Sequence, residues 1–370
     1  MNINLPFLFV RVYAAFALLS LLLVGCASTE FRMEYEVDPA SAQVWPSPPE
    51  VARFRYVGEI IGQQNIIEQE EGKGFGAKIA DFFKWAIGLS GPSPVPVVLQ
   101  RPQMGAVDSD GRIFVTDVSR HAVFVFDTGK GELSEWVSAT QLENFITPVG
   151  IGIDLDNSVY VVDADLHYVA KLDKDGNPIA KFGEDSLKRP TGLAIDRQSR
   201  KIYVADTHAH NIKVFNDKGD LLNVIGRRGT DIGEFNSPTH LAFMHGNLYV
   251  TDTFNTRVQV LTPSGEFSQQ FGERGVYVGN LVRPKGVTSD SEGNVYVIES
   301  FHDHLLVYNS KGEFLLPVGG TGTEVGQFYL PSGIWSDDQD RIYIADMFNG
   351  RIVILQYLGG KYANNSVLKN

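Results

Sequence analysis

The sequence of 370 residues holds a single cysteine, Cys26. A chain with one thiol cannot form an internal disulfide, so no disulfide holds the fold together. The chain also has no excess of basic residues, because its formal net charge is −12 at pH 7. Such a charge disfavours general attraction to nucleic-acid phosphates, and we expect no nucleic-acid partner.

The short motifs of the common enzyme classes are also missing. The sequence contains no His-Glu-x-x-His zinc motif, no Gly-x-Ser-x-Gly nucleophile motif and no phosphate-binding loop. The glycine-rich segment 72–76 resembles a nucleotide loop, but no strand precedes it and the spacing differs. We interpret that segment as a flexible hinge.

What the sequence does contain is one phrase repeated six times. In the clearest copy, a proline and an apolar run ending in Asp span 190–196, a Tyr-Val run ending in Asp spans 201–206, and a third apolar run spans 211–215. The phrase recurs every 42 to 48 residues, and an acid follows each proline after 14 to 16 residues. The prolines are Pro102, Pro148, Pro190, Pro238, Pro284 and Pro331, and the acids are Asp117, Asp163, Asp206, Asp252, Glu299 and Asp346. Repeats of this length with room for four short strands predict an all-β, six-bladed β-propeller.

The ends of the repeat array predict how the ring closes. The sixth copy has three strands and no fourth, whereas an isolated strand, 51–61, precedes the first copy. We expect this strand to complete the sixth blade, so that the propeller spans 51–361 and leaves no free edge. An insert, 62–98, follows the strand, and apolar residues at near-helical spacing predict a helix over 75–89. Three interpretations of that helix stay open. It packs on the propeller, it serves as a lid or partner-docking helix, or it lies on a lipid surface.

The N-terminal residues are typical of a secretion signal. A basic residue precedes an apolar run of 14 residues, and this run is too short to span a membrane. Residues 1–25 are therefore predicted to be a signal peptide. The sequence Leu23-Val24-Gly25-Cys26 resembles the bacterial lipobox, which implies lipidation of Cys26 and attachment to a membrane. Ala27, rather than Asp, follows this cysteine, which resembles the pattern of lipoproteins sorted to the outer membrane. We expect the protein to face the periplasm there. Residues 26–50 then read as a tether, and 362–370 as a tail.

The repeats themselves resemble the NHL repeat over residues 99–357. Copy four reads Asp-Thr-Phe-Asn-Thr-Arg-Val over 252–258, and copy six keeps the same Asn-x-Arg pattern over 346–352. Together with the lipobox, the chain resembles bacterial NHL-repeat lipoproteins with a six-bladed propeller. That resemblance implies a fold and no particular activity.

Two enzyme families with similar propellers provide a comparison. In peptidyl-hydroxyglycine amidating lyases the residue directly after the blade proline is a zinc-binding histidine, whereas gluconolactonase-like propellers often carry a Pro-Asn-Gly phrase that helps to hold calcium. Pro-Asn-Gly does not occur here, and His240 lies one position too late. The positions directly after the six blade prolines, where the lyases have zinc-binding histidines, hold Gln103, Val149, Thr191, Thr239, Lys285 and Ser332. We therefore predict no catalytic residue, no metal and no cofactor, and keep a divergent lyase or lactonase with a metal in the channel, using His240, as the alternative.

The propeller geometry predicts where a binding site would lie. The prolines and the turns after the six acids should share one face, where seven of the eight histidines also fall; we interpret those histidines as turn residues rather than metal ligands. Arg101, Arg189 and Arg283 precede alternate prolines, and Lys285 follows one. These cations either pair with neighbouring acids and lock the blades, or bind an acidic peptide end or anionic sugar. The predicted binding face for an envelope protein, peptide or glycan comprises Arg101, Gln103, Arg189, His240, Arg283, Lys285, Phe254, Phe301 and Phe348.

Overall fold

The computed structural model describes residues 31–68 and 96–359, and within them the chain forms a six-bladed β-propeller. Six antiparallel sheets make up the blades, and one two-stranded sheet lies beside them. The described part of the chain contains three single turns of 3-10 helix, at Gln63–Asn65, Thr253–Asn255 and Met347–Asn349. Within the described residues no helix is long and apolar enough to cross a membrane. The predicted fold class is confirmed.

Within residues 31–68 and 96–359, four strands precede the repeats, and each repeat then contributes three or four strands. The first four are β1 (Phe31–Met33), β2 (Val44–Trp45), β3 (Phe54–Ile60) and β4 (Ile66–Glu68). Blades 1 to 3 comprise β5 (Pro102–Val107), β6 (Ile113–Asp117), β7 (Ala122–Asp127), β8 (Glu132–Trp136), β9 (Pro148–Ile153), β10 (Val159–Asp163), β11 (Tyr168–Leu172), β12 (Pro178–Phe182), β13 (Pro190–Asp196), β14 (Lys201–Asp206), β15 (Asn211–Phe215) and β16 (Leu221–Ile225). Blades 4 to 6 comprise β17 (Pro238–Met244), β18 (Asn247–Asp252), β19 (Arg257–Leu261), β20 (Phe267–Phe271), β21 (Pro284–Ser289), β22 (Val295–Glu299), β23 (His304–Tyr308), β24 (Phe314–Gly319), β25 (Ile334–Ser336), β26 (Arg341–Asp346) and β27 (Arg351–Tyr357).

Burial within a blade follows the position of the strand. The second and third strands of blade 1 are almost wholly buried, because neighbouring blades cover both of their faces. The fourth strand is exposed at most positions. This explains why the middle strands read as continuous Val, Ile, Tyr and Phe runs, whereas the outer strands admit charged residues.

The innermost strands pack backbone against backbone around the central channel. A Cβ atom on Gly333 would lie 2.2 Å from the carbonyl oxygen of Gln103 in the next blade, and one on Gly192 would lie 2.6 Å from that of Thr239. Glycine in the Pro-x-Gly phrase therefore lets adjacent blades approach closely.

The ring closes as the sequence predicts. Strand β3 pairs antiparallel with β27, with Phe54 opposite Tyr357 and Ile60 opposite Ile352. The strand from the N-terminal side thus supplies the fourth strand of blade 6, and the edge at the seam is paired.

Residues 31–50, the described part of the predicted tether, contain strands that pair with other strands. Strand β2 pairs with β3 as a fifth strand of blade 6, and β1 pairs with β4. Asn65 holds this region together, since its amide donates to the carbonyl oxygens of Glu34 and Glu59. Strands of two or three residues are too short to show a period, so no pattern in the sequence indicated them. Residues 1–25, Cys26, the predicted helix 75–89 and the tail 362–370 lie outside the described residues.

Candidate functional site on the proline face

The blade prolines and the acids that end the second strands lie side by side. Pro102 pairs with Asp117 across β5 and β6, and Pro284 pairs with Glu299 across β21 and β22. Pro190 and Asp206 are related in the same way. We call this end of the propeller the proline face; it carries the turns between second and third strands and the connections between blades.

The acids fix the backbone of this face. Oδ2 of Asp117 accepts hydrogen bonds from the backbone N–H groups of Gln100 and Arg101 at 2.6 and 2.9 Å, and Oδ1 accepts from those of Ser119 and Arg120. The other five acids make the corresponding bonds to the segment before the proline, as Asp163, Asp206, Asp252, Glu299 and Asp346. The expectation that these carboxylates accept backbone hydrogen bonds in the turns is confirmed, and the contacts extend to the preceding blade connection.

Some acids also pair with a buried cation on the third strand. Lys213 donates to Asp206 at 2.6 Å, and Arg257 donates to Asp252 at 2.9 Å. Burial alone would raise the pKa of the Asp206 carboxyl, but the Lys213 ammonium and the backbone donors of Arg189 and Lys188 hold it below its ordinary value. These pairs serve the fold rather than chemistry.

Three of the predicted face histidines occupy the same turn position in different blades. His121, His167 and His210 have φ values of 53°, 61° and 55°, in the left-handed region, where Gly350 stands in blade 6 with φ of 62°. His210 also accepts a hydrogen bond from the backbone N–H of Ser237 in the next connection. Among the described residues, no three His, Cys, Asp or Glu side chains come together in a way that could hold a metal ion.

The predicted cations separate into paired and unpaired groups. Arg189 donates to Asp165 of the neighbouring blade at 2.6 Å, which matches the interpretation as a lock between blades. Arg101 lies over the ring of Phe348, 5.5 Å from its centroid. For Arg283 and Lys285 the described residues offer no ion pair.

Lys285 and Arg283 line a cavity of about 590 Å³ at the channel mouth. Burial lowers the pKa of the Lys285 ammonium, and the Arg283 guanidinium lowers it further. The remaining lining combines hydroxyl, aromatic and aliphatic side chains with one histidine, and includes no carboxylate. The residues lining the cavity are Thr191, Thr207, His208, Ser237, Thr239, Thr253, Phe254, Arg283, Lys285, Ser300, Leu330, Met347 and Phe348.

The cavity wall contains a chain of hydroxyl groups that the sequence reading missed. Thr191 and Thr207 lie 2.7 Å apart, and Thr239 and Thr253 lie 2.6 Å apart. Each pair also bonds to a carbonyl oxygen of the following blade. The available signal was a hydroxyl residue directly after the blade proline combined with one directly after the acid. In blade 5 the first of these positions holds Lys285.

The remaining predicted residues surround the cavity without lining it. Gln103 bonds to Ser332 and to the carbonyl oxygen of Arg101. His240 is buried beside Thr239, its Nε2 has no hydrogen-bond partner among the described residues, and burial lowers the pKa of its imidazole to about 3. Phe301 is 56 % exposed outside the cavity. The structure thus brings together Arg283, Lys285, Phe254 and Phe348.

Comparison with known proteins agrees with this architecture. The NHL repeat family model matches residues 100–126 and 187–215. A virginiamycin B lyase from Staphylococcus aureus, solved with quinupristin, is similar with a TM-score of 0.53 and 15% identity over 88% of this chain and 99% of that one. A protein of unknown function from Bacteroides thetaiotaomicron has a TM-score of 0.59 and 15% identity, covering 88% and 90% of the two chains.

A third similar structure is an auxiliary nutrient binding protein from Bacteroides thetaiotaomicron. Its TM-score is 0.56 at 11% identity, over 70% of this chain and 69% of that one. At such identities the similarity shows a shared fold. The chain is a six-bladed β-propeller that carries NHL repeats.

Proposed function

We propose that this protein is a non-catalytic binding protein of the bacterial cell envelope, which captures an anionic ligand at the mouth of its channel. Its partner is an envelope protein, a peptide or a glycan that carries an acidic group. The lipid predicted on Cys26 holds the propeller at the outer membrane, on the periplasmic side. The observation that carries the proposal is Lys285, a cation in a cavity without any acidic partner among the described residues.

The electrostatics of the cavity favour an anion. An ammonium group that has lost part of its water and gained no counter-ion is held at a cost in free energy. Arg283 beside it raises that cost, as the direction of the Lys285 pKa shift reflects. A bound carboxylate would relieve both penalties through charge-assisted hydrogen bonds.

The aromatic lining supports a role in binding. Phe254 and Phe348 are 67 % and 49 % exposed although both belong to the cavity. Exposed aromatic rings beside a charged centre are typical of contact residues in binding sites. The similarity to an auxiliary nutrient binding protein from Bacteroides thetaiotaomicron is compatible with such a role.

The alternative, a lyase or lactonase with a metal in the channel, has weaker support. It requires His240 as a ligand, but His240 is only 5 % exposed and is absent from the cavity lining. Among the described residues, His240 also belongs to no group of three His, Cys, Asp or Glu side chains that could hold a metal ion. The similarity to virginiamycin B lyase extends to the fold alone.

Calorimetry with two anionic probes tests the proposal. The probes are a glucuronate disaccharide and an acetylated apolar dipeptide with a free carboxylate, each compared with its neutral amide. We expect at least one probe to bind, and amidation or Lys285→Gln to weaken it about tenfold. Lys311→Gln, on the opposite end of blade 5, is the matched control and should leave binding unchanged. Binding of neither probe, or equal binding to the Lys285 variant, would overturn the proposal.

A further inference from the structure

We infer that the anionic ligand is the C-terminal segment of a polypeptide, with its terminal carboxylate at Lys285 and its apolar side chains on the connection that precedes blade 5. We call residues 275–279 of that connection the blade 5 loop. This inference rests on the proposed function and specifies its ligand.

Blade 5 differs from its two neighbours, blades 4 and 6, at the position that holds their preceding loops. In blade 4, Arg257 donates to the carbonyl oxygens of Asp231 and Glu234 in the preceding loop. In blade 6, Arg351 donates in the same way to Glu324 and Gln327. Blades 1 to 3 hold Ala122, Tyr168 and Asn211 at this position, so the arginine that fixes the preceding loop is specific to blades 4 and 6.

In blade 5 the corresponding residue is His304, which contacts the carbonyl oxygen of His302 instead of the loop. The blade 5 loop is held by Tyr308, whose hydroxyl donates to the carbonyl oxygen of Gly279, and by Asn280, which accepts from the backbone N–H of Tyr277. The loop is therefore anchored near its C-terminal end and lacks the arginine that secures the equivalent loops.

The blade 5 loop is also apolar at two positions where its equivalents are polar, Val276 and Tyr277. Its three central residues are Val276, Tyr277 and Val278, which are 77 %, 79 % and 57 % exposed. The equivalent triplets are Thr-Asp-Ile over 230–232 and Thr-Glu-Val over 323–325. Three consecutive exposed apolar side chains on one loop of an acidic protein indicate a contact surface.

Glu299 joins this loop to the cations and to Phe301. Its Oε1 accepts hydrogen bonds from the backbone N–H groups of Arg283 and Phe301, both at 2.9 Å, and its Oε2 accepts from that of Val282 at 2.8 Å. The segment that leaves the blade 5 loop and the turn that carries Phe301 are thus fixed to one carboxylate. The connection that carries the blade 5 loop therefore leads within a few residues to Arg283, which lines the cavity.

The chemistry of the site favours a peptide over a glycan. Sugar hydroxyls donate hydrogen bonds, and among the described residues that line the cavity the side-chain acceptors are Ser and Thr hydroxyls and His208, with no carboxylate or carboxamide to accept more strongly. An apolar chain that ends in a carboxylate needs a cation and apolar contacts, which Lys285, Arg283 and Phe254 supply. A fatty acid has the same chemistry, but the exposed side chains of the blade 5 loop stand outside the cavity and do not enclose an acyl chain.

Binding of acetylated hexapeptides to the full chain in detergent tests the inference. The hexapeptides have randomised aliphatic, aromatic and polar residues, and each is made with a free and with an amidated C-terminus. We expect apolar peptides with a free carboxylate to bind, and amidation to weaken them about tenfold. In Lys285→Gln, where Arg283 is the remaining cation, the difference between the free and the amidated forms should shrink.

Variants of the blade 5 loop test the apolar half of the site. Tyr277→Ser should weaken hexapeptides about tenfold but leave acetyl-leucine, which reaches only the cavity, unchanged. Val325→Ser, at the equivalent of Val278 in the loop before blade 6, is the matched control and should bind like the native chain. Each variant should unfold at the same temperature as the native chain, which shows that its fold is intact.

The outcomes separate this inference from the proposed function. If no hexapeptide binds, or if octanoate binds more tightly than every hexapeptide, the peptide inference is wrong. Binding of the glucuronate probe through Lys285 would then leave the proposed function standing. If Lys285→Gln changes the binding of no anionic ligand, both are wrong.

Discussion

Arg351 donates a hydrogen bond from Nη1 to Oε2 of Glu59 at 2.7 Å, across 292 residues of sequence. Arg351 begins β27, the third strand of blade 6, and Glu59 lies on β3, which closes the ring. Nε of the same guanidinium donates to the buried Asp346 at 2.9 Å. One side chain therefore joins the N-terminal strand to the repeat that it completes.

Replacement of Arg351 should weaken this closure. Arg351→Met leaves Asp346 as a buried carboxylate without its cation, and we expect the free energy of unfolding to fall by about 3 kcal/mol. Glu59 is 32 % exposed, so Glu59→Gln should cost only about 0.5 kcal/mol. Urea denaturation of both variants measures the difference. Equal losses would contradict the assignment of Asp346 as the group that depends on Arg351.

The glycine of the Pro-x-Gly phrase gives a second prediction. A Cβ at Gly333 would lie 2.2 Å from a backbone oxygen of blade 1, so Gly333→Ala must push two inner strands apart. We expect a loss of about 2 kcal/mol in the free energy of unfolding. Gly129→Ala is the control, since its nearest neighbour is a side-chain atom at 3.5 Å, and it should be nearly neutral. A neutral Gly333→Ala would mean that the inner strands have room to separate.

The propeller could be predicted from the sequence because the residue pattern that specifies each blade is local and repeated. Each blade carries an apolar strand before an acid that bonds to nearby backbone, and six copies make the period visible. The closing strand was predicted for a similar reason, because β3 alternates and blade 6 lacks a partner. Strands β1 and β2 carry no such signal, since their two or three residues form strands only against β4 and β3.

The candidate site was only half predictable. The sequence identified Arg189, Arg283 and Lys285 as cations of one face, but left open whether they pair with acids. Only the arrangement of neighbouring blades decides this, because Asp165 reaches Arg189 from the adjacent blade, whereas no described acid reaches Lys285. The apolar blade 5 loop was missed because connections have no period to reveal them.

Acid should destabilise blade 3 through Asp206. Its pKa is lower in the folded than in the unfolded chain, so the stability that it contributes is complete above the unfolded value of about 3.9 and is lost as the pH falls through the folded value. Lys213→Met removes the cation and should destabilise the protein at pH 7. The difference from the native chain should shrink as the pH falls below about 4. Urea denaturation between pH 3 and pH 7 measures it, and a constant difference would contradict the role of the pair.

Cys26 gives a prediction for the membrane. If the lipobox directs lipidation, the native chain should sediment with membranes and incorporate a labelled fatty acid, and Cys26→Ser should do neither. Ser28→Ala, two residues away, is the control and should behave like the native chain. Labelling of the Cys26→Ser variant would show that lipid is attached elsewhere.

The affinity for anions should depend on the protonation of Lys285. Because burial and Arg283 lower its pKa below the ordinary 10.5, the amine loses its charge at a lower pH than an exposed lysine does. Affinity for a carboxylate probe should therefore fall as the pH rises through this lowered pKa, while the probe itself stays ionised. Lys285→Arg keeps its charge at every accessible pH, so its affinity should remain constant over the same range. Calorimetry from pH 6 to pH 10 makes the comparison, and a parallel decline in both proteins would assign the titration to another group.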